Sequence, residues 1–153
     1  MTATKLLAPL AAQTGQTHLA IATYEEAITA ATRAFGEEHA QMLRARAAHA
    51  VLRHRLGDCD TALRNLAAVQ ATAAHRHGHH SRLSLRTLID LGSLYRDCGH
   101  HDLAARCPTT ASTGIDRYLP PDDPLREVIT AVIAAPASLD HLAVCTQPQP
   151  RSQ

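Results

Sequence analysis

"RLGDCDTAL", residues 55–63, has two partners in the same chain, and the spacing between them decides the fold. Forty-two residues earlier the sequence reads "QTGQTHLAI", and forty-two residues later it reads "DCGHHDLAA". In each copy a Gly is followed five residues on by an Ala: Gly15 and Ala20, Gly57 and Ala62, Gly99 and Ala104. Working outward, five of the seven glycines fall at 15, 36, 57, 78 and 99, a step of 21, and the next step lands on Pro120. Gly and Pro favour the conformations that end helices. Segments of about 20 residues between such breaks, without strand-like alternation, read as helices. Two helices make one 42-residue unit, and a period of that size indicates a helical solenoid.

The expected helices span 3–13, 17–34, 40–56, 59–76, 82–98, 101–117 and 124–135. Gly15, Gly57 and Gly99 form tight corners within units at about 2–36, 37–78 and 79–120, with a partial unit at 121–135. Gly36, Gly78 and Pro120 open looser joints between units, and the last joint offers Asp123 as a helix cap and Pro124 at the first helical position. The tail at 136–153 contains "TQPQPRSQ" and is expected to be disordered at its end.

Composition agrees with an all-α chain. Aromatics make up 3% of the 153 residues, with one Phe and no Trp, so the core must be built from Ala, Leu, Ile and Val. The net charge is +1, which gives no global pull toward nucleic acid or membrane. Lys5 is the only Lys among 15 basic residues, a bias that with the abundant Ala suggests a GC-rich genome. No apolar run reaches the roughly 18 residues of a membrane helix, and "KLLAPLAAQTG" serves as the first helix of the array, so the chain reads as cytoplasmic. Cys59, Cys98, Cys107 and Cys145 have no close-paired spacing and read as free, buried thiols.

"LIDLGSLY", residues 88–95, resembles the tetratricopeptide repeat pattern W-x2-L-G-x2-Y, carried here by Leu88, Leu91, Gly92 and Tyr95. The A-x3-F element follows as Ala20–Tyr24 and Ala62–Leu66. The ordinary repeat is about 34 residues. The 42-residue form resembles that of kinesin light chains and many bacterial regulatory proteins. The resemblance implies a right-handed solenoid of about three helix–turn–helix units plus a terminal helix. It also implies a protein-interaction module that binds peptides in a groove lined by the first helix of each unit. Such a module suits a scaffold or sensor in a bacterial regulatory system.

Two units depart from the pattern. Arg46, His49 and Arg53 occupy the Trp, Leu and Tyr positions of the second unit, so its first helix is expected to rotate or to expose more of itself. Pro108 replaces the aromatic after Ala104, and an interior Pro costs roughly 3 kcal/mol, so a kink or break is expected near 107–109. Either the repeat erodes into a terminal cap there or it bends for a purpose.

Carried over from the family, the groove positions include Lys5 in the first unit. The second offers Arg44, Ala47, Val51, His54 and Arg55, and the third Arg86, Ile89, Ser93, Arg96 and Asp97. This makes the groove basic and its expected partner an acidic protein or peptide segment; the competing reading of the same arginines is a solvated charged face. A nucleic-acid-binding helical repeat is the alternative, disfavoured by the charge balance and scarce aromatics. A metal- or thiol-dependent enzyme is a minor alternative. The histidines at 75–80 and at 100–101 lie at opposite ends of one helix, roughly 25 Å apart, and cannot share an ion. Cys98 beside His100 reads as packing. There is no phosphate-binding Gly loop, no Ser–His–Asp set and no paired carboxylates, so neither catalysis, a metal nor a cofactor is expected.

Overall fold

A computed structural model describes residues 17–134. Within them the chain is all-helical and repeat-like. Six helices follow in order: α1 (Thr17–Phe35), α2 (Ala40–Arg55), α3 (Cys59–His77), α4 (Arg82–Asp97), α5 (His101–Tyr118) and α6 (Leu125–Ala134). No strand occurs among the described residues, and no helix there is long and apolar enough to cross a membrane. The helix expected at 3–13 and the corner at Gly15 lie outside the described residues, as do Lys5 and Cys145.

The corners at Gly57 and Gly99 are built alike. After α2 the amide of Gly57 donates to His54 O and that of Asp58 to Arg53 O. After α4 the amide of Gly99 donates to Arg96 O and that of His100 to Tyr95 O. This paired pattern closes a helix only when its pivot residue adopts a left-handed conformation, and the pivots have φ of +87° and +82°. Gly36 and Gly78 share the positive φ at the joints. From Gly36 to Gly99 the 21-residue glycine rhythm is thus a rhythm of left-handed helix ends. The joints supply the next caps: Ser81 Oγ accepts from Ser84 N, and Asp123 Oδ1 accepts from Leu125 N.

Each helix packs on the next, and in addition α2 packs on α4 and α4 on α6. Side-chain bonds between units join residues about one period apart: Arg82 to Asp123, Arg96 to Val132 O and Cys98 to His54; within the second unit His77 bonds Glu38 O. The apolar stripes merge between neighbours. Leu43, Ala47, Leu66, Val69, Leu83 and Leu94 belong to one buried cluster, drawn from α2, α3 and α4. Leu85, Ile89, Ala111, Ile115, Leu125 and Ile129 belong to the next, drawn from α4, α5 and α6. No helix covers its own stripe, so each depends on its neighbour. Ala20 and Ala62 are fully buried, whereas Ala104 is only half-buried.

Helix α5 corrects the expected break: it runs without interruption through Pro108. The reason lies opposite. A Cβ on Gly92 would stand 3.0 Å from both Cys107 Cβ and Pro108 Cδ, so the missing side chain makes the seat that receives the buried proline ring. One turn and a half away, a Cβ on Gly114 would meet Leu85 Cδ2 at 2.6 Å. As the chain advances from 85 to 92 the facing residue retreats from 114 to 108, so α4 and α5 are antiparallel. The packing between these helices offsets the lost backbone bond at Pro108.

The second unit replaces the apolar signature with ion pairs. Glu25 of α1 accepts from His49 Nε2 and from Arg53 Nη2, both at 3.1 Å, and Arg53 Nη1 also reaches Asp58 at 3.0 Å. Arg46 stands 4.0 Å from Glu37. Arg46, His49 and Arg53 are half-buried rather than displayed, and their partners Glu25 and Glu37 are exposed.

Two predictions follow from this packing. Gly92→Ala gains helix propensity worth about 1 kcal/mol. It also overpacks the Pro108 seat, at a cost of roughly 1–3 kcal/mol. Denaturant unfolding should therefore show a net loss of about 1 kcal/mol. Asp123 carries its carboxyl below the ordinary 3.8, first through the Leu125 amide and then through Arg82 and Arg126. A depressed carboxyl stabilises the fold above its unfolded pKa, and that contribution is lost as pH falls through the folded value. Thermal melts below about pH 4 should decline less steeply for Asp123→Asn, which keeps the cap but cannot ionise.

Candidate functional site

A cavity of about 580 Å³ opens along the face shared by α2 and α4. From α2 it is lined by Arg44, Ala47, Ala48, Val51, Leu52 and Arg55, from α4 by Arg82, Leu83, Arg86, Thr87 and Asp90, and from α1 by Tyr24. Helical periodicity puts these residues on one side: positions 44, 47, 48, 51 and 55 recur every three or four residues, as do 82, 83, 86, 87 and 90. The floor is apolar and the rims carry four guanidinium groups against one carboxylate.

The four arginines are not equivalent. Arg82 Nε donates to Asp123 at 3.2 Å, and Arg86 stands 3.4 Å from Asp90 on the next turn of its own helix. Arg44 and Arg55 are exposed, and among the described residues neither has a carboxylate within salt-bridge distance. Burial raises the Asp90 carboxyl above its ordinary 3.8, outweighing the opposing charge and hydrogen bond of Arg86. The apolar surroundings therefore disfavour the one negative charge in the cavity lining. The net field in the cavity is positive although the chain as a whole is nearly neutral.

Of the residues expected in the groove, Arg44, Val51, Arg55 and Arg86 meet around this cavity. Ser93 and Arg96 do not. Ser93 Oγ donates to Ile89 O, and Arg96 Nη1 donates to Val132 O at 2.9 Å, because α6 lies against that end of α4 and takes the arginine as a strut. His54 also leaves the groove: it is 3% exposed and turns into the corner. The groove positions carried over from the family did not include Arg82, Thr87 or Tyr24. The signal for Arg82 was present as Arg82, Arg86 and Asp90, spaced four apart on one helical face.

A second group of side chains meets where the corners stack. Cys98 Sγ lies 3.3 Å from His54 Nε2, and Cys59 belongs to the same cluster. Cys98 thus has a polar partner as well as a packing role, and its partner is His54 from the unit before rather than the neighbouring His100. Burial, with Asp97 and Asp60 adding negative charge, pushes the Cys98 thiol up to about 11. Burial also raises Cys107. Cys98 and Cys107 are in no disulfide, but Cys59 is disulfide-bonded, which corrects the reading of it as a free thiol. The histidines at 75, 77, 79, 80, 100 and 101 are exposed, though not all are merely solvated: His80 stacks on Tyr118 with ring centroids 4.0 Å apart, and His100 meets Tyr95 edge-on at 5.8 Å.

No protein-family model matches the chain, and no curated protein matches it.

The raised thiol gives a direct check. A pKa of about 11 against 9.0 leaves Cys98 with about one hundredth of the ordinary thiolate fraction near neutral pH. Alkylation by iodoacetamide, followed by peptide mass spectrometry, should label Cys98 about a hundredfold more slowly than an unstructured cysteine peptide.

Proposed function

We propose that this chain is a tetratricopeptide-type solenoid of right-handed twist, and that it works as a protein-interaction module that holds an acidic, extended peptide segment in the cavity between α2 and α4. The observation that carries the reading is the pair Arg44 and Arg55, two uncommitted guanidinium groups at either end of an apolar floor. The solenoid reading is supported by the 42-residue self-match and by the inner row in which α2 meets α4 and α4 meets α6. In such an array the inner row lines the concave side.

The spacing defines the ligand. Arg44 and Arg55 are eleven residues apart, three helical turns, so they point the same way about 16 Å from each other. An extended peptide advances about 3.3 Å per residue. Side chains of an extended chain alternate faces, so acidic residues four or six apart, which point the same way, are the ones within reach of both long arginine side chains, with small apolar residues between them over Ala47, Ala48 and Val51. The planar fork of Arg makes two parallel charge-assisted bonds to a carboxylate or phosphate, which gives orientation as well as attraction. Tyr24 is the one aromatic residue in the lining, so successive nucleic-acid bases would find no stacking platform, and protein is the favoured partner class. A module that recognises a segment without transforming it fits the scaffold or sensor part of a bacterial regulatory system working in the cytoplasm.

Fluorescence anisotropy with a peptide library carrying Glu or Asp at variable spacing tests the reading. Affinity should peak at an even spacing of four or six residues and fall with added salt, since exposed charges are screened over about 8–10 Å at physiological ionic strength. Arg44→Glu with Arg55→Glu should abolish binding while circular dichroism stays unchanged, because both side chains are exposed. Asp90→Asn should tighten binding several-fold by releasing Arg86. Binding indifferent to charge reversal refutes the groove, and preference for single-stranded RNA over every peptide refutes the partner class.

A further inference from the structure

The corner cluster is independent of the groove and carries its own chemistry. His54 is the second-last residue of α2, Cys59 opens α3, and Cys98 follows the last residue of α4. The left-handed turns at Gly57 and Gly99 form equivalent corners of successive units, and where these corners meet three side chains that span 44 residues of sequence come together. One ligand atom from each lies within 4.8 Å of the other two. His54 and Cys59 are buried, at 3% and 7% exposure, and Cys98 is half-buried.

We propose that, in the reduced protein, His54, Cys59 and Cys98 form a binding site for one thiophilic divalent cation of the zinc class. Two sulfurs and an imidazole nitrogen are the donor set such ions select over harder cations. Tetrahedral coordination, with bonds of about 2.3 Å to sulfur and 2.0–2.1 Å to nitrogen, sets donor-to-donor separations of about 3.5–3.8 Å. The 3.3 Å between Cys98 Sγ and His54 Nε2 is close to this, and the 4.8 Å limit on the remaining pairs leaves a closure of about 1 Å at most. Two thiolates balance the charge of a divalent ion, so the complex is neutral and can be buried without a counter-charge. Three protein ligands leave the fourth position to water.

Cys59 enters this set only as a thiolate, and in this structure it is disulfide-bonded. Reduction by a thiol or phosphine must come first: two electrons and two protons convert the S–S bond to two thiols, and the reductant is oxidised. The cation then displaces the thiol protons of Cys59 and Cys98 to solvent and takes a lone pair from neutral His54. The site is therefore gated by redox state. When filled, it ties the corner at Gly57 to the corner at Gly99 and fixes the second unit against the third.

Titration of the full-length, chelator-stripped chain with Co²⁺, before and after phosphine reduction, tests the proposal. The expected result is one equivalent bound only by the reduced protein, with the visible spectrum of tetrahedral cobalt and a thiolate-to-cobalt charge-transfer band, both displaced by Zn²⁺. The band excludes binding by the exposed histidines, which supply no sulfur. Cys98→Ser and His54→Gln should each weaken Co²⁺ binding at least tenfold, and Cys107→Ser, whose thiol is outside the cluster, should leave it unchanged. A reduced wild-type chain that shows no charge-transfer band overturns the site, and this result does not depend on any variant folding. A band that survives in Cys98→Ser also overturns it, and an equal band without reduction overturns the gating.

Discussion

The left-handed residue at each corner is the constraint from which the rest of the arrangement follows. A helix that ends with φ near +85° sends the chain back along its own side, and only glycine takes that conformation without steric cost. Because the corner recurs at a fixed interval, α2 and α4 both span 16 residues and α1 and α3 both span 19, and neighbouring apolar stripes merge. The buried clusters, the close approach of α4 to α5 and the face shared by α2 and α4 are all consequences of that register.

Much of this was legible in the sequence because glycine placement is a local signal. The bounds expected from the breaks agree with those of α1 to α6 to within about a residue. Pro108 was misread because the cost of an interior proline is also local, whereas the compensation comes from Gly92 on another helix. The second unit was read as exposed or rotated because Arg46, His49 and Arg53 look foreign at core positions. Their partners Glu25, Glu37 and Asp58 stand five to twenty-eight positions away, and charge pairing at that distance has no periodicity to reveal it.

The cavity shows the same division. Arg44, Val51, Arg55 and Arg86, carried over from the positions of the family they resemble, line one cavity because one helical face sees one neighbour. Ser93 and Arg96 occupy equivalent positions further along α4, but the packing of α6 converts that end of the face from lining to joint. The cluster of His54, Cys59 and Cys98 needed a different question. Aligning the copies puts Cys98 just before Gly99, while His54 and Cys59 flank Gly57, so the corners themselves bring these residue types together. Inspection of the histidine-rich joints drew attention away from them.

The pattern of helix contacts also bears on how the chain acquires its structure. Each helix meets the next or the next but one, so the contacts that define the fold are close in sequence. Low contact order shortens the loops that must close before a native contact forms, and it favours fast folding. A corner and its two helices can form as soon as about forty residues have left the ribosome, and each later unit then docks on a surface already in place. Assembly of the array in the order of synthesis requires no segment to wait for a distant partner.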